Sequence, residues 1–517
     1  MPPSDAPQAS RLVPGARYVG AIAAAPLFMA LAWHAAVFLR VSLGRMSFPF
    51  EVEFMEGLTI DYARTVAHGG NLYGPASASF APLYYPPLYY LVALPALVLG
   101  SWSLLAARLV SWLSFLLTLL VLGTALRRSK ASWTAVAVSV AVALAYYPDT
   151  LYWYDLARVD SLQTLLQVAG LTLLVCDDFR PSRPALLWSA GLLTAAVYTK
   201  QTAAAGCASA LLWLALARDW RRLRVLATGL ATLGLLGMAI LLAWFGSSVF
   251  VVFAMPARHA RSLAAGFQGL RPLATTMAPL VVLALAGVRS GPATRALRFW
   301  LLQFGAALAM AFLALCKHGG LANSAMPAII LLGACVGLGY DSVVARLTHG
   351  GPRWVRAAVG GLVAACLFVP FRPDYERWIP TAADRADAEE ILADMRALDR
   401  PFLAYNHSFV STVMRGEMYP SWHALWDWAG GEDAGASGPD PSRYPADLMD
   451  RIRARGFPAI YTNGSDYFGD PLYRLIKENY RVVRVWPLRT TGAPVRWMLC
   501  VPRVRWEPKP RNDYSPG

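Results

Sequence analysis

Four carboxylates, Glu51, Glu53, Glu56 and Asp61, crowd the stretch "FPFEVEFMEGLTIDYARTVAHGGNLY" (48–73) in a 517-residue chain of which only 15% is charged. A carboxylate within hydrogen-bond reach of a hydroxyl can take its proton. Basic and polar groups recur downstream where there is almost no loop to solvate them. Arg158 and Asp160 stand in "YDLARVDSLQ", Lys200 and Gln201 in "YTKQTAAAG", and Lys317, His318 and Asn323 in "CKHGGLANSAMP". "MPARHARSL" adds Arg258, His259 and Arg261. Arginine and lysine so placed can bind a phosphate and stabilise it as a leaving group. Ionisable groups at the ends of apolar segments point to function more strongly than those in ordinary loops.

These groups need elements to position them. If 51–68 is helical, steps of about 100° per residue put Glu53, Glu56, Gly57, Asp61, Arg64 and His68 on one face. Phe54, Met55, Leu58, Tyr62 and Val66 fall opposite. The spacing predicts an amphipathic helix lying on the outer membrane surface, its acids turned from the lipid. Acids at a helix start are also what the helix dipole favours.

Composition supports the membrane setting. Hydrophobic residues make up 56% of the chain, in runs long enough to cross a bilayer. The net charge of +15 does not indicate nucleic acid, because the arginines fall mainly in short loops between apolar runs, an orientation signal. The six cysteines show neither metal spacing nor a disulfide framework. Eleven spans are expected, at roughly 18–40, 104–125, 131–147, 159–176, 184–198, 199–217, 223–245, 273–289, 298–315, 325–340 and 354–371. The first follows Arg11 and Arg17 and reads as an uncleaved span. With residues 1–17 as a cytoplasmic tail, disordered over 1–10, each basic cluster (127–130, 180–183, 218–224, 289–298, 346–356) falls on the inner side. "YYPPLYYLVALPALVLG" (84–100) is then left as an interfacial or re-entrant helix within one outer loop, 41–103.

Residues 372–517 also fall outside. "ADAEEILADMRALD" reads as a helix, and "PFLAYN", "FPAIYTN", "YRVVRVWP" and "RWMLCVPR" as short strands, with a loop over 430–445. The fold class expected is a polytopic α-helical membrane protein, 18–371, with a small C-terminal extracytoplasmic α/β domain. In "YNHSFVSTVMRGEMYPSWHALWDW" (405–428), His407, Arg415, Glu417, His423 and Asp427 stand among tryptophans that read as packed core, though aromatic surfaces can also stack on sugars.

Acids and cations thus converge on one membrane face. A lipid-phosphate-linked sugar presents its phosphate at headgroup depth, so a carboxylate base and a cationic cradle there would serve glycosyl transfer. The order of "EFMEG" (53–57), "GGNLY" (69–73), "YYPPLYYL" (84–91), "AARLVS" (106–111), "RVDSLQTLL" (158–166) and "TKQTA" (199–203) resembles the GT-C superfamily of integral-membrane glycosyltransferases, in particular bacterial relatives of dolichyl-phosphate-mannose protein mannosyltransferases. The resemblance implies inverting sugar transfer from a polyprenyl-phosphate donor to an extracytoplasmic glycan, lipid or protein acceptor, at a bacterial inner membrane. It implies a catalytic acid in the first outer loop, usually an adjacent Asp-Glu. Here Met55 precedes Glu56, so either Glu53 or Glu56 is the expected base. Arg158, Asp160, Lys200, Gln201, Arg258, His259, Lys317, His318 and Asn323 are the expected substrate and phosphate ligands. Asp160 matches an acidic position sometimes used for metal or substrate; a divalent metal is therefore possible as cofactor, with no metal ligand assigned. A lipid-linked glycan flippase and a catalytically silent glycan- or lipid-binding scaffold are the competing readings.

Overall fold

The computed structural model describes residues 15–288, 294–348, 354–370, 372–431, 438–463, 469–490 and 493–503. The expected disordered stretch 1–10, Arg11, Arg289, Arg353 and the middle of the 430–445 loop lie outside them.

Helices occupy all eleven segments expected to span. They are α1 (Gly15–Met46), α4 (Leu104–Arg128), α5 (Trp133–Ala145), α6 (Val159–Phe179), α7 (Arg183–Thr199), α8 (Ala204–Leu216), α9 (Trp220–Phe245), α11 (Leu263–Gly287), α12 (Thr294–Leu315), α13 (Met326–Thr348) and α14 (Trp354–Phe368). Three lie between them: α2 (Glu56–Ala67), α3 (Leu88–Leu99) and α10 (Val251–Arg258). Among the described residues, six helices are long and apolar enough to cross a membrane. The protein is a polytopic membrane protein.

Local sequence sets many helix starts. Ser103, Ser132, Ser182 and Ser262 each accept the backbone N–H three residues on, at the openings of α4, α5, α7 and α11. The most enclosed helix, α13, is held close by glycine. A Cβ at Gly333 would lie 2.6 Å from the Ser139 carbonyl oxygen on α5, and one at Gly339 would lie 2.7 Å from Ala284 Cα on α11. Small residues let membrane helices approach at backbone distance, where dispersion rather than hydrophobicity binds them.

The first loop departs from expectation. The predicted helix over 51–68 begins only at Glu56, so Glu53 sits in the turn before it and not on the same helical face. Nor does α2 lie on lipid: Leu58, Tyr62 and Val66 on the apolar side and Glu56 and Asp61 on the polar side are all buried. Protein covers both faces, α3 and α4 on one side and the C-terminal unit on the other. The short helix expected within 84–100 is α3, whose 12 residues rise only about 18 Å, too little to cross a hydrocarbon core of about 30 Å.

After α14 the chain runs through a short linker into α15 (Ala382–Ala397), opened by a Thr381–Asp384 capping box. All four expected strands form: β1 (Leu403–Ala404), β2 (Ile460–Thr462), β3 (Tyr480–Thr490) and β4 (Ala493–Pro502). They make one sheet in the order β1-β2-β4-β3, with β1 parallel to β2 and the rest antiparallel. Helices α16 (Ser408–Arg415), α17 (Trp422–Trp428), α18 (Ala446–Arg453) and α19 (Pro471–Asn479) complete the unit. The first two face the membrane bundle.

Candidate active site

The two expected bases have different surroundings. Glu56 is fully buried and meets Arg108 of α4 through two bonds, Nε to Oε1 at 2.8 Å and Nη2 to Oε2 at 2.7 Å. Its oxygens also accept the amides of Val52 and Ala157 at 2.8 and 3.0 Å. Arg108 spends its other protons on the carbonyls of Arg45, Phe48 and Phe50 at 2.9, 2.7 and 2.9 Å. Burial alone would push the Glu56 carboxyl up, but the Arg108 charge and these hydrogen bonds hold it below its ordinary value. Glu56 has no lone pair to spare for a substrate. With Arg108 it staples the 45–52 loop to α4.

Glu53 is buried, yet only one of its oxygens is engaged. Oε2 accepts from Arg158 Nη1 at 2.8 Å and from the Met55 amide at 3.2 Å, while Oε1 has no hydrogen-bond partner. Desolvation raises its carboxyl to about 7 against the opposing charge of Arg158. Arg158 is shared: its Nε lies 3.8 Å from Asp160 Oδ2 and its guanidinium stacks over Trp153 at 4.5 Å. Asp160 opens α6, where its Oδ1 accepts from Lys200 Nζ at 2.6 Å and Asn323 Nδ2 at 2.9 Å. Three segments far apart in sequence thus meet through one carboxylate.

Next to this row stands a second group around Tyr84. Lys317 Nζ lies over the Tyr84 ring at 4.4 Å, and His259 meets the same ring edge-on at 5.7 Å. Gln201 donates to the carbonyls of Tyr84 and Val252. His259 Nε2 is 2.8 Å from Asp427 Oδ1 of α17 but off the hydrogen-bond direction, so both Asp427 oxygens and His259 Nδ1 are buried without a hydrogen-bond partner. His423, also on α17, packs on Phe54 at 4.6 Å and lies within electrostatic reach of Asp427, Arg158, Lys317 and His259. Buried polar atoms left unpaired are costly. Glu53, Asp160, Asp427 and His259 each carry one or more here, which makes this group the candidate site.

Beside Gln201 and Pro86 an apolar cavity of about 220 Å³ runs between α7 and α9, lined by Val197, Tyr198, Met238 and Leu241.

Of the expected ligands, Arg158, Asp160, Lys200, Gln201, His259, Lys317 and Asn323 are brought together. Arg258 and His318 are exposed outside the group; the His318 backbone N–H donates to the Ala260 carbonyl at 2.9 Å. Sequence reasoning left out Arg108, although an arginine opening an apolar segment was a signal, and it left out Tyr84. It also left unassigned the C-terminal groups. Ser408 donates to Asp61 Oδ2 at 2.8 Å, Arg64 donates to the Thr412 carbonyl at 3.0 Å, and His407 Nδ1 contacts Glu51 Oε2. Glu51 Oε1 in turn accepts the Gly57 amide at 2.6 Å. Burial lifts the Glu51 carboxyl well above its usual range and lowers His407 to about 3. Replacing His407 in His407→Phe is expected to lower the thermal unfolding temperature in detergent by loosening the 51–57 turn, and His407→Gln to restore part of that loss.

No protein-family model matches the sequence, and no curated protein matches it. Solved structures do. ArnT from Cupriavidus metallidurans bound to undecaprenyl phosphate superposes with a TM-score of 0.58 at 15% identity, over 90% of this chain and 97% of that one. Its apo state gives 0.54 at 17% identity, over 91% and 97%. The oligosaccharyltransferase AglB from Archaeoglobus fulgidus, in complex with an inhibitory peptide and a dolichol-phosphate, gives 0.50 at 12% identity, over 93% and 75%. The chain has the GT-C fold. Within this GT-C fold the acid-bearing loop, the openings of α6 and α8, and the C-terminal unit enclose one site. Among the described residues no three His, Cys, Asp or Glu side chains are disposed to hold a metal, and Asp160 faces Lys200, Asn323 and Arg158.

Proposed function

We propose that this GT-C-fold protein transfers a sugar from a polyprenyl-phosphate-linked donor to an acceptor hydroxyl on a glycan, lipid or protein, at the extracytoplasmic face of a bacterial inner membrane. One arrangement carries the reading: Glu53, with an unpartnered buried oxygen, shares Arg158 with the Asp160–Lys200 pair beside an apolar groove.

Glu53 Oε1 takes the proton of the acceptor hydroxyl as its oxygen attacks the anomeric carbon. A C–O bond forms on one side while the bond to the phosphate oxygen breaks on the other, so the anomeric configuration inverts. Arg158, Lys200 and Lys317 meet the charge that builds on the departing phosphate. The prenyl tail follows the groove between α7 and α9. The acceptor approaches past Phe54, His423 and Asp427, where the C-terminal unit closes the site. Glu56 and Arg108 hold the loop and take no proton.

A base near 7 fixes the pH dependence. Below that value Glu53 carries its own proton and cannot accept another. kcat/KM is therefore expected to rise about tenfold per pH unit as pH approaches 7, then level off. A profile flat from pH 5 to 8 would remove Glu53 as the base.

The reading is tested with protein reconstituted in proteoliposomes, radiolabelled polyprenyl-phosphate sugars and candidate acceptors. Label appearing on an acceptor is the expected result. Label crossing the bilayer unchanged would make the protein a flippase, and retention of donor without either event a scaffold.

A further inference from the structure

A second cavity, of about 710 Å³, lies in the seam between the end of α1, the linker after α14 and the start of α15. Its floor is apolar, with Leu43, Pro373, Ile379 and Pro380, and its rim carries Arg40, Arg377 and Arg385. The linker is seated tightly: a Cβ at Gly44 would lie 2.8 Å from Ile379. Two rim carboxylates face three guanidiniums. Asp374 pairs with Arg377 at 2.9 Å, whereas Glu376 reaches Arg40 only at 4.0 Å with both side chains well exposed, and Arg385 donates to the Gly44 carbonyl. Arg40 is thus the least committed cation of the three.

Below the cavity α1 turns an apolar stripe outward. Met29 and Trp33 are exposed, and with Arg40 they recur at helical spacing on one face. From Met29 to Arg40 the helix rises about 16 Å, close to the depth of one leaflet's hydrocarbon, half of about 30 Å. That sets the three arginines at headgroup level above a lipid-facing surface.

The geometry points to a binding site for an anionic phospholipid, its phosphodiester in the Arg40–Arg377–Arg385 cavity and its acyl chains along Met29 and Trp33 of α1. A phosphodiester beside Arg40 offsets the rim's excess positive charge and displaces the loosely held Glu376. The lipid would tie the entry of the C-terminal unit to the bilayer surface. This inference stands apart from the proposed transfer, because its readout is lipid binding.

The test measures binding of phosphatidylglycerol against phosphatidylcholine to the full-length protein by native mass spectrometry from mixed nanodiscs. Each arginine near an anionic headgroup contributes roughly fivefold, so Arg40→Gln with Arg377→Gln is expected to reduce phosphatidylglycerol retention about 25-fold and leave phosphatidylcholine unchanged. Glu376→Gln, which removes the competing carboxylate, is expected to raise retention two- to threefold (about, by the same scale), and it decides the matter if the arginine variant fails to fold. Unchanged retention in Glu376→Gln and in the folded arginine variant would overturn the site. Displacement by soluble glycerol phosphate as effective as by phosphatidylglycerol would overturn the lipid assignment in favour of a free phosphate.

Discussion

Glu53→Gln is expected to lower sugar transfer by about 10²–10⁴-fold, the range of a lost general base, while the protein still folds and retains its donor. Gln is nearly the same shape as Glu and can still accept from Arg158 and the Met55 amide through its carbonyl oxygen. What it loses is the second oxygen as a proton acceptor, the atom that stands unpartnered in the folded protein. Single-turnover transfer with preloaded radiolabelled donor separates chemistry from binding. Donor retention within about twofold of the parent, with the label stalled on the lipid, is the expected pattern; the twofold window follows from a site whose cations are untouched. Transfer at parental rate would show that the proton leaves by another route.

Arg108→Met is expected to be the most destabilising single change in the membrane unit. It strands Glu56 as a fully buried charge, a loss of about 3–5 kcal/mol, and also takes a donor from the carbonyls of Arg45, Phe48 and Phe50, although Arg45 keeps the Phe48 N–H. Thermal unfolding in detergent should show a large drop in Tm, together with loss of all transfer because the acid-bearing loop is no longer held. Removing both charges in Arg108→Met with Glu56→Leu relieves the stranded carboxylate and should recover part of the stability. It should not recover all of it, since the Phe48 and Phe50 carbonyls still lack the Arg108 donor. Full recovery by the double variant would mean that the ion pair alone, and not the loop staple, is what Arg108 provides. Taken together, the two experiments separate a residue that reacts from one that holds: Glu53→Gln spares Tm and stops transfer, and Arg108→Met loses both.

The acid-bearing loop shows where reading residues in order succeeds and fails. The eleven apolar segments were legible because hydropathy is a local property summed over a window. The four C-terminal strands were legible from β-branched and aromatic runs between turn residues. The helical wheel of 51–68, by contrast, assigned an exposed polar face that does not exist. A wheel knows which residues share a side but not what covers that side, and here α16 and α17 arrive from about 350 residues further along the chain.

The membrane architecture, the α/β character of the C-terminal unit and the short list of candidate acids and cations were therefore fixed by the residues alone, since each follows from periodicity, length or charge within a few turns of chain. Tertiary structure decided the division of labour among those candidates. Glu53 and Glu56 are three residues apart and chemically identical, and only the arrival of Arg108 and two backbone amides fills every lone pair of one while Arg158 leaves an oxygen of the other open. Which carboxylate can act depends on partners brought from distant segments, and that information is carried by packing and not by neighbours in the chain.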